Sequence, residues 1–380
     1  MNNKRVMLNR LLRVILPMIV LLVLVIGSSA VKVQGAKANT DAVYAKATIT
    51  GIIEDQSHGE AFSGTQRVTA VLTDGIYSGK SCTLDNANSY QRGALCTEGT
   101  KIIALVRENA DGSITGSVYN YDRSGMLYIL AVLFAAALLL IGGRKGAAAL
   151  YALVFTFISV ICMYIPLLYV GMNGVLAAFL TSLVILIVSI YIINGWSQKS
   201  ICAMVGTAIG VIISGAVAMI TGMLSHLDGF NMTSVESMIY ISNISRLDVG
   251  SILYAGVLIS SLGAVMDVSV SVVAAMKEIY DKVPDISAKE LFRSGMRVGH
   301  DMMGTMSNTL ILAYTGSATS VLITVYAYEM PYLQIMSYNS IIIEILCGLS
   351  GTLGVILTVP VQAFITSLFL KRMQMPKSAK

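Results

Sequence analysis

Gly174-Val-Leu-Ala-Ala-Phe-Leu-Thr-Ser-Leu-Val-Ile-Leu-Ile-Val-Ser-Ile-Tyr-Ile-Ile-Asn194 runs for 21 residues without one charge. A helix of that length rises about 30 Å, the depth of a bilayer's hydrocarbon core. Similar runs flank it. Spans are predicted near 126–142, 148–169, 174–194, 201–223, 250–275, 303–327 and 340–369. They are read as helices because a backbone in lipid must satisfy its own hydrogen bonds. The last run is long enough to tilt, and Pro360 supplies a cause for a bend. Composition agrees. Hydrophobic residues make up 55% of the 380 and charged residues only 12%, against about 25% charged in soluble domains. Mean hydropathy is +0.74. Too little polar surface remains to cover one aqueous core, so lipid must cover the excess.

Upstream, Lys4, Arg5, Arg10 and Arg13 precede an apolar run from Val14 to Ile26 and then Ser28, Ser29 and Ala30. Residues 1–30 are an anchor helix or a signal peptide, and both readings export the next segment of the chain. Residues 31–122 change character. Loosely alternating runs at Val43–Ile53, Gln66–Thr73, Lys101–Arg107 and Ser113–Tyr119, with a turn at Asp111-Gly112, predict a small β-barrel. Cys82 and Cys96 are the cysteine pair of this block, and export would permit a disulfide between them. Cys162, Cys202 and Cys347 lie in apolar runs and read as buried hydrophobes. The fold class is therefore a membrane all-α bundle of about eight transmembrane helices with a small extracytoplasmic β-barrel-like domain after the first. Seven helices fall in residues 123–372, and 373–380 form a cytoplasmic tail.

Basic residues give the orientation. With the N-terminus inside, the inner segments hold those from Lys4 to Arg13, Arg144, Lys145, Lys199, those from Lys277 to Arg297, and those from Lys371 to Lys380. The short outer loops hold only Arg246. This asymmetry puts both termini on the cytoplasmic side of the membrane. The formal charge of +5 is accounted for by these positions, and no nucleic-acid partner is expected. The outer loop 224–249 contains Ser234-Val-Glu-Ser-Met-Ile-Tyr-Ile, a short interfacial helix. On the inner side, Ser287-Ala-Lys-Glu290 fits a capping box that starts a short lead-in helix.

An ionisable group inside a span is costly, so Asp267 stands out. Ser260, Gly263, Asp267 and Ser271 recur at helical spacing and form one small, polar face, expected to point into the bundle. Asp301, Gly304, Thr305 and Asn308 share a face of the next span, where Asn308 falls at a depth similar to Asp267. Asp267, Ser271, Thr305 and Asn308 are the candidate intramembrane site. They serve a cation, proton or substrate path, or they lock helix packing by hydrogen bonds. His300, Asp301 and Glu344 are expected at the membrane interface. Gln362, two residues beyond Pro360, is expected to bond backbone groups that the proline frees. Gly206 with Gly210, and Gly348, Gly351 and Gly354, favour close helix contact. HExxH, the phosphate-binding GxxxxGK[ST] and GxSxG are all missing from the sequence. No Cys/His spacing fits a metal, and no cofactor is expected.

Ser261-Leu-Gly-Ala-Val-Met-Asp-Val-Ser-Val-Ser271 and Gly299-His-Asp-Met-Met-Gly-Thr-Met-Ser-Asn-Thr-Leu-Ile-Leu-Ala-Tyr-Thr-Gly316 resemble the YibE/F-like family of bacterial membrane proteins. Asp248-Val-Gly-Ser-Ile-Leu-Tyr-Ala-Gly256 is similar as well. The likeness covers most of residues 125–370. It implies a multi-pass protein of a bacterial plasma membrane and carries over no catalytic residue. The leading expectation is a transporter of a small solute or ion without its own ATPase. The alternative is a membrane scaffold whose exported β domain binds a protein partner. An intramembrane enzyme would have to rely on Asp267 with Asp301, at different depths.

Overall fold

The computed structural model describes residues 2–31, 42–56, 64–88, 93–233 and 235–372, with the backbone alone at 2–11 and 372. His58, Ser234 and the expected tail 373–380 lie outside the described residues. The chain divides into two compact units, Lys37–Ile141 and Met1–Ala36 with Gly142–Lys380.

The first unit is built on five strands: β1 Val43–Asp55, β2 Gly64–Leu72, β3 Ser81–Asn88, β4 Lys101–Glu108 and β5 Ile114–Tyr121. They close into a barrel in the order β1-β2-β3-β5-β4. Every pairing is antiparallel except β3 with β5. Alternation sends Ala45, Ala47 and Ile49 of β1 and Val68, Ala70 and Leu72 of β2 inward. Alanines 45, 47, 70 and 104 line the interior, because a five-stranded barrel has little room. Four strands match the expected runs. β3 does not, because Ser-Cys-Thr-Leu-Asp-Asn-Ala-Asn reads as turn-forming. Its inward positions Cys82, Leu84 and Asn86 nonetheless complete the wall. A polar network closes one end. Buried Gln66 accepts from Cys96 N at 3.0 Å and from Asn86 Nδ2 at 3.0 Å, and Asn86 Nδ2 also donates to Ala94 O at 2.6 Å. At the barrel's exit, Lys46 pairs with Asp122 at 3.1 Å, and Asp122 accepts from Ser124 N at the start of the next helix at 3.0 Å.

The helices are α1 Asn2–Ala30, α2 Ser124–Ser159, α3 Ile165–Tyr169, α4 Gly174–Asn194, α5 Gln198–Leu224, α6 Val235–Ile244, α7 Ile252–Lys282, α8 Ala288–Ser317, α9 Thr319–Ala327, α10 Tyr332–Ile335 and α11 Asn339–Arg372. A π turn, Val160–Tyr164, joins α2 to α3. Among the described residues, six helical segments are long and apolar enough to cross a membrane, or seven if α8 and α9, bent by 61°, form one span. That is one short of the expected eight. The shortfall lies in Ser124–Tyr169, counted as one segment of 46 residues, more than twice the roughly 20 that one crossing needs. It breaks at Gly143, whose φ of 53° and ψ of −128° suit only glycine.

In the second unit, α5 and α11 run antiparallel in contact. Gly206 faces Gln362, Gly210 faces Thr358 and Gly354 faces Ser214. The fit is close: a Cβ at Gly206 would lie 1.6 Å from Gln362 Oε1. α7 packs on α4, α5 and α11, and α8 packs on α11 and α7. α1 lays Val20, Leu21 and Leu24 against Ala152, Phe155 and Val188. The capping box is formed. Ser287 Oγ accepts from Glu290 N, and Glu290 Oε2 accepts from Ser287 N, each at 3.1 Å. It opens the 30-residue α8 itself, not a separate lead-in helix, because nothing between Ala288 and Ser317 interrupts the helical backbone. α11 runs through Pro360 as one helix of 34 residues.

Candidate functional site

The polar face of α7 points out of the bundle, not into it. Gly256, Ser260, Gly263 and Asp267 are exposed, and Ser271 is half-buried. The inward side of α7 is instead Ser261, Val265, Val268 and Val272, all buried. The cause is packing. Branched aliphatic side chains fill the space against α4, α5 and α11, and small polar ones are left outside. A Cβ added at Gly256 or Gly263 would meet no atom within 4 Å.

α8 adjoins this face. Tyr314 Oη donates to Ser260 Oγ at 2.8 Å. Counting seven residues down each antiparallel helix from that bond, about 10 Å, brings Asp267 level with Ser307 and Asn308. The expected depth match therefore holds, but no contact closes the cluster. Asp267 and Asn308 are both exposed and have no hydrogen bond or ion pair among the described residues. Exposed Thr305 bonds within its own helix, donating to Met302 O at 2.9 Å. His300 and Asp301 are exposed two turns nearer the start of α8.

The other expected positions scatter. Glu344 is half-buried and accepts from Ser317 Oγ at 3.2 Å, beside a cavity of about 240 Å³ that Tyr314, Thr315 and Gly348 also line. Gln362 is buried, and its Nε2 donates to Cys202 O of α5 at 3.1 Å and to Thr366 Oγ1 at 3.0 Å. It links two helices and does not serve the carbonyl that Pro360 frees. Cys82 and Cys96 are free, buried thiols, and no disulfide joins them. Cys96 contacts Asn86, four residues along β3 from Cys82. Burial pushes both thiols up to about 11.

A second site has a larger volume. A cleft of about 910 Å³ opens where α5 ends and α4 and α7 begin. Leu176, Phe179, Ile212, Met219 and Leu258 give it apolar walls, and Ala216 lies between them. Asn173, His226, Asp228, Asp248, Ser251 and Tyr254 supply the polar groups. Each is fixed by local chain geometry. Asn173 caps α4, accepting from Val175 N at 3.1 Å, and its Nδ2 donates to Asp248 Oδ2 at 3.1 Å. Ser251 Oγ accepts from Gly174 N at 2.8 Å, tying the starts of α4 and α7 together. Tyr254 Oη donates to Leu227 O at 2.5 Å. His226 ends α5 at a φ of 54°, with Leu227 N donating back to Gly222 O at 2.9 Å, the αL helix stop. The cleft and Asp267 lie on opposite sides of α7. Asp267 is nine residues from Leu258, half a turn away at about 100° per residue.

The family model for YibE/F-like proteins matches residues 130–372. The chain belongs to the YibE/F-like family. No curated protein and no solved structure matches it. The match takes in the cleft and the polar face of α7 and α8 and leaves the barrel outside. With its long apolar helices, this YibE/F-like chain is a multi-pass membrane protein. The family-like phrase Asp248–Gly256 contributes Asp248, Gly250, Ser251 and Tyr254 to the cleft. That phrase was the signal in the sequence, but reading residues for intramembrane charge passes over it because Asp248 lies in a loop.

Proposed function

We propose that this protein moves a small solute across its membrane without an ATPase of its own, taking it up in the cleft. The cleft carries the proposal. Its volume and mostly apolar lining with a few convergent polar groups suit a small-molecule site. The basic-residue asymmetry supports an orientation with the cleft on the outer face, both termini and a tail in the cytoplasm and the barrel domain exported, and the family resemblance supports a plasma membrane. The guanidinium of Arg13 beside Gly195, at the end of α4, fits that orientation, since both then lie on the inner side. Asp267, on the opposite side of α7, is the group for a coupling cation or proton, and Asn308 and Thr305 stand level with it or nearby. α7 thus carries both functions, and a shift of this helix would couple them.

The test uses purified protein in proteoliposomes and a profile of the solutes accumulated. Ala216→Trp fills the cleft without touching the α5–α11 contact, and Asp267→Asn removes the charge. Each variant should lower uptake at least tenfold while eluting as a folded, monodisperse protein. Full uptake by Ala216→Trp would refute the reading, and full uptake by Asp267→Asn would remove the coupling role from Asp267. Deleting residues 40–120 separates it from the scaffold alternative, in which the exported domain binds a partner: transport survives the deletion, scaffolding does not.

A further inference from the structure

We infer that the cleft selects organic cations with an apolar body; this rests on the transport reading and names its substrate class. Asp228 and Asp248 both face the cleft, and no Lys or Arg among the described residues lines it. Neither carboxylate has a basic partner among the described residues. Asp248 accepts one hydrogen bond, from the neutral amide of Asn173, and Asp228 caps the short 3-10 turn Gly229–Asn231 through Phe230 N at 2.9 Å. Arg246 of the nearby loop lays its stem against Gly171 instead, and His226, the one imidazole in the lining, makes no ion pair with either carboxylate among the described residues.

Helix ends do not reverse this sign. The starts of α4 and α7 each bring roughly half a positive charge and the end of α5 roughly half a negative one. Against the two carboxylates these partial charges leave the lining net negative. Low-dielectric walls focus such a field into the cleft. Those walls accept an apolar body, and Phe179 and Tyr254 add aromatic surface to them. The flexible Met219 and Met223 adjust to its shape. An anion of the same size meets the same walls and the opposite field.

Tetraphenylphosphonium and tetraphenylborate share size and shape and differ in sign. Binding of each to the full-length protein in lipid nanodiscs is measured by equilibrium dialysis, with empty discs subtracted. The phosphonium should bind saturably, one per chain, and the borate should show no saturable binding. Asp228→Asn with Asp248→Asn should weaken the phosphonium at least tenfold, and Ala216→Trp should abolish its binding. Asparagine keeps an acceptor oxygen for Phe230 N at position 228 and for the Asn173 amide at position 248, and elution as a folded species checks this. Equal binding of the borate, or an unchanged affinity in the double variant, would overturn the inference. The two readings fail separately. If the phosphonium binds but Ala216→Trp leaves all uptake intact, cation binding stands and transport falls. If Ala216→Trp blocks uptake of some solute while no phosphonium binds, transport stands and cation selection falls.

Discussion

The barrel and the helical bundle solve opposite packing problems with one chain. In the barrel, Ile49, Leu84, Ile102 and Val106 are inside. Polar side chains face out, and among the described residues the only buried polar ones are Gln66 and Asn86, bonded together at one end. The bundle buries Phe155, Leu186, Ile190 and Met276 too, but it also turns many large side chains outward and takes small polar ones in. Phe157, Leu224, Ile323 and Phe364 are exposed, while Ser182, Thr207, Ser214, Thr358 and Gln362 are buried. Water drives the first arrangement, because burying apolar surface removes it from an unfavourable solvent. Lipid cannot drive the second that way, since its tails are as apolar as leucine. Close approach of small residues and a few interhelical hydrogen bonds hold the helices instead. The same residue type therefore carries a different weight in each region.

The largest expected effect strikes the bundle by adding volume. Gly206→Leu puts a branched side chain where the buried Gln362 amide sits, so that amide must give way and the close α5–α11 contact is overfilled. Overpacking costs about 1–3 kcal/mol where neighbours can shift and more where they cannot. We expect loss of the monodisperse folded species on size exclusion in detergent; a folded Gly206→Leu protein of unchanged thermal stability would break the contrast. In the barrel, removing volume should matter most. Leu84→Ala should cost about 2–5 kcal/mol. Cys82 and Cys96 report the opening, because thiols held near 11 by burial stay protonated and slow to alkylate at neutral pH. Their labelling in full-length protein should begin at lower denaturant in Leu84→Ala than in wild type.

A smaller effect sharpens the polar side of the comparison. Gln362→Leu loses the bond to Cys202 and should cost about 1 kcal/mol in thermal melts, far less than Gly206→Leu. The smallest is electrostatic. Hydrogen bonds from Ser124, then Lys46, hold the Asp122 carboxyl down to about 2. A carboxyl lowered in the folded state adds stability above its ordinary pKa of about 4 and loses it as pH falls toward 2. The protection factors of amides in the first turn of α2, each rate taken relative to its intrinsic rate at the same pH, should therefore fall between pH 4 and pH 2, and Asp122→Asn should remove that dependence.

Local physics made much of this legible from the sequence. Apolar length announced the spans, alternation announced four strands, and Ser287 with Glu290 announced a helix start. β3 was hidden because its wall positions include Cys82 and Asn86, which look polar until the barrel closes around them. The site was less legible. Helical spacing put Ser260, Gly263 and Asp267 on one face, but spacing carries no information about which neighbour that face meets.

Chain chemistry alone fixed that this is a multi-pass, helix-rich protein with a β domain near its N-terminus, because hydrophobicity and periodicity act within a few residues. Only tertiary packing turned Asp267 outward, sent Gln362 to Cys202, and gathered Asn173, Asp228, Asp248 and Tyr254 around one cleft. Those outcomes depend on which distant segments meet, and the free energy of that meeting is shared among all of them.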